Sequence, residues 1–159
     1  MLVARVLGLT DGEWARAWPL FTYLFLTTAG MVASKATRDA LFLDRFSATD
    51  LPYVDIAIAV LVGVAVALYL RAHRWLSMRA LQTGTLLVFA ATSLGFWWLS
   101  LTAKDGGALF IAIYLWVGIY GALAPTQVWT LANFVLTTRE AKRAFGFIGS
   151  GAILGWIVG

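Results

Sequence analysis

Long apolar runs separated by short charged clusters repeat along this chain. Four of the runs reach the ~20 residues of helix needed to cross a hydrocarbon core of about 30 Å. They predict spans over about 17–43, 53–70, 80–101 and 108–136. A fifth run covers 144–159 and falls short of that length, so the chain reads as the leading part of a longer protein. Residues 1–16 carry Arg5, Asp11, Glu13 and Arg16 and show no cleavable leader pattern. They predict a cytoplasmic segment, with a short interfacial helix over 7–17 capped by Thr10 or Asp11. The expected fold is all-α: a polytopic transmembrane helix bundle of four full spans and a truncated fifth.

Punctuation within and between the runs refines this. Pro19 suits a first-turn position in the first span. Residues 44–52 form a polar connection, and Asp55 is expected in the first turn of the second span, where a carboxylate complements the helix dipole. Residues 71–79 and 137–143 read as basic loops, and 104–107 as a turn. Pro125 removes one backbone hydrogen bond from the fourth span and predicts a kink. Gly151, Gly155 and Gly159 recur every four residues, a small-residue pattern that fits ordinary close helix packing better than a mobile interface.

Composition fixes the class. The 159 residues are 61% hydrophobic and 13% charged, whereas soluble domains are about 45–50% apolar and about 25% charged. With no cysteine, disulfides and thiolate chemistry are excluded. One histidine, His73, without a carboxylate cluster argues against a metal site. The net charge of +4 reflects loop bias, not a nucleic-acid surface. Arg71, Arg74, Arg79, Arg139, Lys142 and Arg143 lie in the two basic loops, against Arg45 and Lys104 on the other side. The positive-inside rule then places the N-terminus in the cytoplasm, with a bacterial inner membrane as the expected location. No phosphate-binding glycine loop, metal-binding helix motif or nucleophile triad occurs, so neither an enzyme nor a cofactor is expected.

The polar residues within the spans are the candidates for function. Lys35, Arg38 and Asp39 fall inside an arc of about 100° on one helix. Each such charge costs about 2.5–3.5 kcal/mol at mid-membrane, so the trio belongs either at a water-filled route or at the interface with its stems snorkelling. Asp39 is expected to fix Lys35 and Arg38, which would hold an anionic solute. Gln127, Thr130 and Asn133 recur at helical spacing in the fourth span beside Pro125. Gln127 and Asn133 are candidates for contacting the solute's polar groups, with interhelical hydrogen bonding as the alternative. Glu140, Lys142 and Arg143 are candidate gating residues that exchange ionic partners, with a solvated loop as the alternative.

Two stretches carry a resemblance. Lys35-Ala-Thr-Arg-Asp-Ala-Leu-Phe-Leu43 is similar to the first-helix motif of the nucleotide transporter (ATP/ADP translocase) family. Trp129-Thr-Leu-Ala-Asn-Phe134, then Arg139-Glu-Ala-Lys-Arg-Ala-Phe145 and a glycine-rich helix, resembles that family's fourth-helix end and following loop. The resemblance extends to the major facilitator superfamily, whose folds combine two six-helix halves, and implies that this chain is most of the first half. It implies exchange of an anionic nucleotide by alternating access, with Lys35, Arg38, Asn133 and Glu140 at matching positions. The partners would be the solute, the lipid bilayer and the remaining helices of the full-length transporter. Two features depart from the pattern: the 71–79 loop lacks an Asp, and Phe145-Gly-Phe-Ile-Gly149 replaces the translocases' usual continuation. A carrier of another small solute, or a non-transporting membrane anchor or regulatory module, is the competing class. A channel has little support, since no filter-like sequence occurs.

Overall fold

The computed structural model describes residues 10–102 and 107–159. Five α-helices follow in order: α1 Asp11–Leu43, α2 Leu51–His73, α3 Met78–Thr102, α4 Gly107–Val135 and α5 Thr138–Val158. No strand occurs among the described residues. Among the described residues, three helices are long and apolar enough to cross a membrane: α2 with the turn before it (Ala48–His73), α3 and α4. No residue of α2 is buried within the protein. A helix that is apolar all round and uncovered needs lipid or further protein against it. The first and last helices, also expected as spans, are not among the three. Lys35, Arg38 and Asp39 lie inside α1, and Arg139, Glu140, Lys142 and Arg143 lie inside α5.

Several boundaries move, each for a local reason. The interfacial helix and first span expected as separate pieces are one helix of 33 residues, about 50 Å long. It starts at a capping box: the Thr10 N–H donates to Glu13 Oε2 at 2.8 Å, and the Glu13 N–H donates to Thr10 Oγ1 at 3.4 Å. Pro19 is therefore interior to α1, not in its first turn. The stretch expected as a second basic loop is helical from Thr138, because Glu140 accepts the Thr137 N–H at 2.8 Å and so caps the start. The first basic loop shrinks to 74–77, flanked by helix on both sides. A short 3₁₀ turn, Ala48–Asp50, fills the 44–52 connection, with Ser47 at its N-cap. The turn expected at 104–107 lies, apart from Gly107, outside the described residues.

The chain forms two compact units. Unit 1 contains the described residues up to Ala33 together with Ala124–Gly159, and unit 2 is Ser34–Leu123. The later division falls one residue before Pro125, and α4 stays helical through it. Unit 1 is built on Ala17, Leu20, Leu24, Val128, Ala132, Leu136, Ala144 and Ile148, drawn from α1, α4, α5 and the residue just after α4. Trp14, Trp18 and Phe21 form a stripe on α1 that meets Phe147 of α5, with the Trp14 and Phe21 ring centroids each 4.8 Å from Phe147. Further along, a Cβ added at Gly151 would lie 2.6 Å from the Phe21 carbonyl oxygen, and one at Gly155 2.8 Å from that of Phe25. The two helices thus run parallel with their backbones close together. The four-residue glycine spacing is a packing seam, in line with its small-residue pattern.

Candidate functional site

The expected binding residues divide between the units. Lys35, Arg38 and Asp39 belong to unit 2, and Gln127 and Asn133 to unit 1.

In unit 2 the centre is Arg38, whose side chain is only 10% exposed. The α1 helix delivers it onto α4, where its guanidinium lies 4.1 Å from the centre of the Tyr114 ring. A cation over an aromatic face is attracted by the ring quadrupole, and more strongly where water is excluded. Arg38 Nε donates to Asp39 Oδ1 at 3.1 Å, and its Nη1 reaches the Tyr114 carbonyl oxygen at 3.4 Å. Asp39 therefore pairs with its neighbour Arg38, not with Lys35 one turn away. Lys35 is exposed and has no ion-pair partner among the described residues. The Tyr114 hydroxyl donates to Asp55 of α2 at 3.4 Å. Asp55 is the fifth residue of its helix, one place beyond the first turn where the dipole role was expected. Phe42, 1% exposed, packs on the Tyr114 ring at 4.9 Å between centroids.

Arg38 also lines a cavity of about 250 Å³ within unit 2. Hydroxyls come from Ser34, Thr37, Ser93 and Ser100, and aromatic surface from Phe96, Trp97 and Trp116. The Trp116 indole Nε1 is buried and has no hydrogen-bond partner among the described residues. The cavity thus offers one cation, several hydroxyls and apolar walls, a set suited to a small anion with an apolar portion. Ser34, Thr37, Arg38 and Leu41 fall at i, i+3, i+4 and i+7, as do Ser93, Phe96, Trp97 and Ser100. That hydroxyl periodicity was readable from sequence; Tyr114, an ordinary span aromatic by its neighbours, was not.

In unit 1, Gln127 is buried at 1% exposure. The Thr130 hydroxyl donates to the Thr126 carbonyl of its own helix at 2.8 Å, so it does not extend a polar face. Asn133 is exposed and shares a cavity of about 420 Å³ with Leu136, Thr138, Ala141, Lys142 and Phe145. A candidate binding residue and a candidate gating residue therefore meet in one place.

The other two gating candidates engage α1. Arg143 Nη2 donates to Glu13 Oε1 at 2.5 Å, and Arg16 Nη2 donates to Glu140 Oε1 at 2.5 Å. Both carboxyl groups lie outside the spans, and both are held below the ordinary carboxylate value of 4.5. For Glu13 the main cause is the Thr10 N–H, opposed by desolvation and helped by the Thr10 hydroxyl and the Arg143 charge. For Glu140 it is the Thr137 N–H, then the Thr137 hydroxyl, with Arg16 adding to both. No group of three or more His, Cys, Asp or Glu residues is placed to hold a metal among the described residues.

Comparison with protein-family models, curated proteins and solved structures finds no match for this chain.

Proposed function

We propose that this chain is the membrane-embedded helical part of a secondary transporter that moves a small anionic solute by alternating access. The observation that carries the reading is Arg38. A guanidinium nearly removed from solvent, on a helix flanked by apolar residues, is costly to keep unless it is used. Here it is stacked on Tyr114, balanced by Asp39 and open to a cavity lined with hydroxyls and aromatic rings. Guanidinium binds carboxylate or phosphate oxygens by charge-assisted bonds, and the solute's anionic group would take over a contact that Asp39 holds when the site is empty. Lys35, one turn earlier and exposed, is a second cation on the same helix. The resemblance of 35–43 and 129–145 to nucleotide translocases supports nucleotides as candidates. It also supports a half-bundle of the major facilitator type, with α1 and α5 as additional spans. The excess of Lys and Arg over 71–79 and 137–143, at and beside the helix ends, supports a cytoplasmic N-terminus.

Uptake by the full-length protein in proteoliposomes tests this. Arg38→Ala should abolish uptake of the transported anion while membrane insertion is retained, and Arg38→Lys should keep part of it. Unchanged uptake in Arg38→Ala removes the reading and favours an anchoring or regulatory module. Competition by ATP and ADP, set against inorganic phosphate and small carboxylates, separates nucleotide transport from carriage of another anion.

A further inference from the structure

The two helix starts in unit 1 spell the same pattern. Thr10-x-x-Glu13-x-x-Arg16-Ala17-Trp18 opens α1, and Thr137-x-x-Glu140-x-x-Arg143-Ala144-Phe145 opens α5. In each, the Glu turns back onto the Thr N–H at 2.8 Å and closes its own helix end. Each Arg, one turn further on, crosses to the Glu of the other helix, Arg16 to Glu140 and Arg143 to Glu13. The arrangement is reciprocal, as though a local two-fold axis ran between the two starts. The alanine after each Arg is fully buried, and the aromatic stripe and glycine seam follow in the same parallel register.

We propose that this repeated motif is a reciprocal clamp that locks the first half of α1 and α5 together as a single body. Each carboxylate serves two purposes at once, capping its own helix and holding its neighbour's Arg. A clamp built this way resists sliding as well as separation. A one-residue slip of α5 along α1 would break both ion pairs together, and at the same time bring the Phe21 and Phe25 carbonyls onto side chains where glycine now leaves room. Glu140 and Arg143 are then fixed fasteners of unit 1 rather than gate residues that change partners. Lys142 is exposed and has no ion-pair partner among the described residues. The groups facing the two carboxylates are Thr10, Thr137, Arg16, Arg143 and the other carboxylate of the pair. The inference does not depend on transport.

The absence of native cysteine gives a clean reporter. A thiol introduced by Ala144→Cys, or by Ala17→Cys as an independent site, replaces a fully buried methyl next to the clamp. Its rate of maleimide labelling in membranes reads how often the helix starts separate. Glutamine retains the capping acceptor but removes the charge. Glu13→Gln with Glu140→Gln should therefore raise labelling roughly threefold or more, with helix content unchanged. Arg16→Ala with Arg143→Ala should do the same, and Arg16→Lys with Arg143→Lys should restore slow labelling. High salt should speed labelling of the otherwise unaltered reporter and leave the glutamine pair unaffected. Parental labelling in both the glutamine and alanine pairs would overturn the clamp. So would fast labelling that lysine fails to reverse, since that would show packing rather than charge at work. If a glutamine variant fails to insert, the salt response of the reporter alone decides: no acceleration counts against the clamp.

Discussion

The two units are fastened by opposite means. In unit 1, α1 and α5 approach backbone to backbone over Gly151 and Gly155, and charge appears only at the helix starts, where Arg16 and Arg143 are 43% and 41% exposed. In unit 2 the cation lies inside. Arg38 is wrapped by Tyr114 and Asp39, with Phe42 against the ring, and the packing is aromatic side chain on aromatic side chain. Unit 1 places its charges at the helix starts beside a close-packed seam, and unit 2 places one beside a cavity. The difference shows how to sort charged residues in such a chain: a capped, partly exposed pair is architecture, while a sequestered cation beside a cavity is a candidate for chemistry.

Four experiments would break or sharpen that contrast. Phe42→Ala deletes a buried ring from unit 2 and should cost about 3–5 kcal/mol there. Hydrogen exchange in detergent should show faster exchange in 34–123, and unit 1 should be spared. Gly155→Ala forces a methyl toward the Phe25 carbonyl and Thr28, and overpacking of this kind costs about 1–3 kcal/mol. Melting should drop, with the increased exchange confined to unit 1. Gly146→Ala is its control, because an added methyl there meets nothing within 4 Å; it should be neutral, or stabilising by up to about 1 kcal/mol through helix propensity. Tyr114→Phe removes only the hydroxyl bond to Asp55 and should cost about 0.5–1.5 kcal/mol, leaving the ring beneath Arg38.

The smallest effect is that of acid. Glu13 and Glu140 have folded values below the ordinary 4.5, so their contribution is complete above that pH and is lost as pH falls through the lowered values. Labelling at a 144 thiol, taken relative to a small reference thiol at the same pH, should stay slow down to about pH 4.5 and rise below it. The Glu13→Gln, Glu140→Gln pair should lack that rise. An equal acid response in both would assign it to other carboxylates.

Apolar run length alone determined the helical character and the three helices able to cross a membrane, because a run of that length has no other way to satisfy its backbone in lipid. Lys35, Arg38 and Asp39 could be placed together on one face, since four residues of helix fix an angle whatever packs against it. The capping pattern Thr-x-x-Glu stands in the sequence at both helix starts, and it explains why α1 begins at Asp11 and α5 at Thr138. What each polar group does next was decided only by the tertiary structure. Arg38 reaches Tyr114 across 76 positions, and the Arg16 and Arg143 bonds span 124 and 130. Periodicity carries information over a few turns of one helix. It cannot say which distant helix will supply the ring under a cation or the carboxylate beside an arginine, because that depends on how the faces pack together.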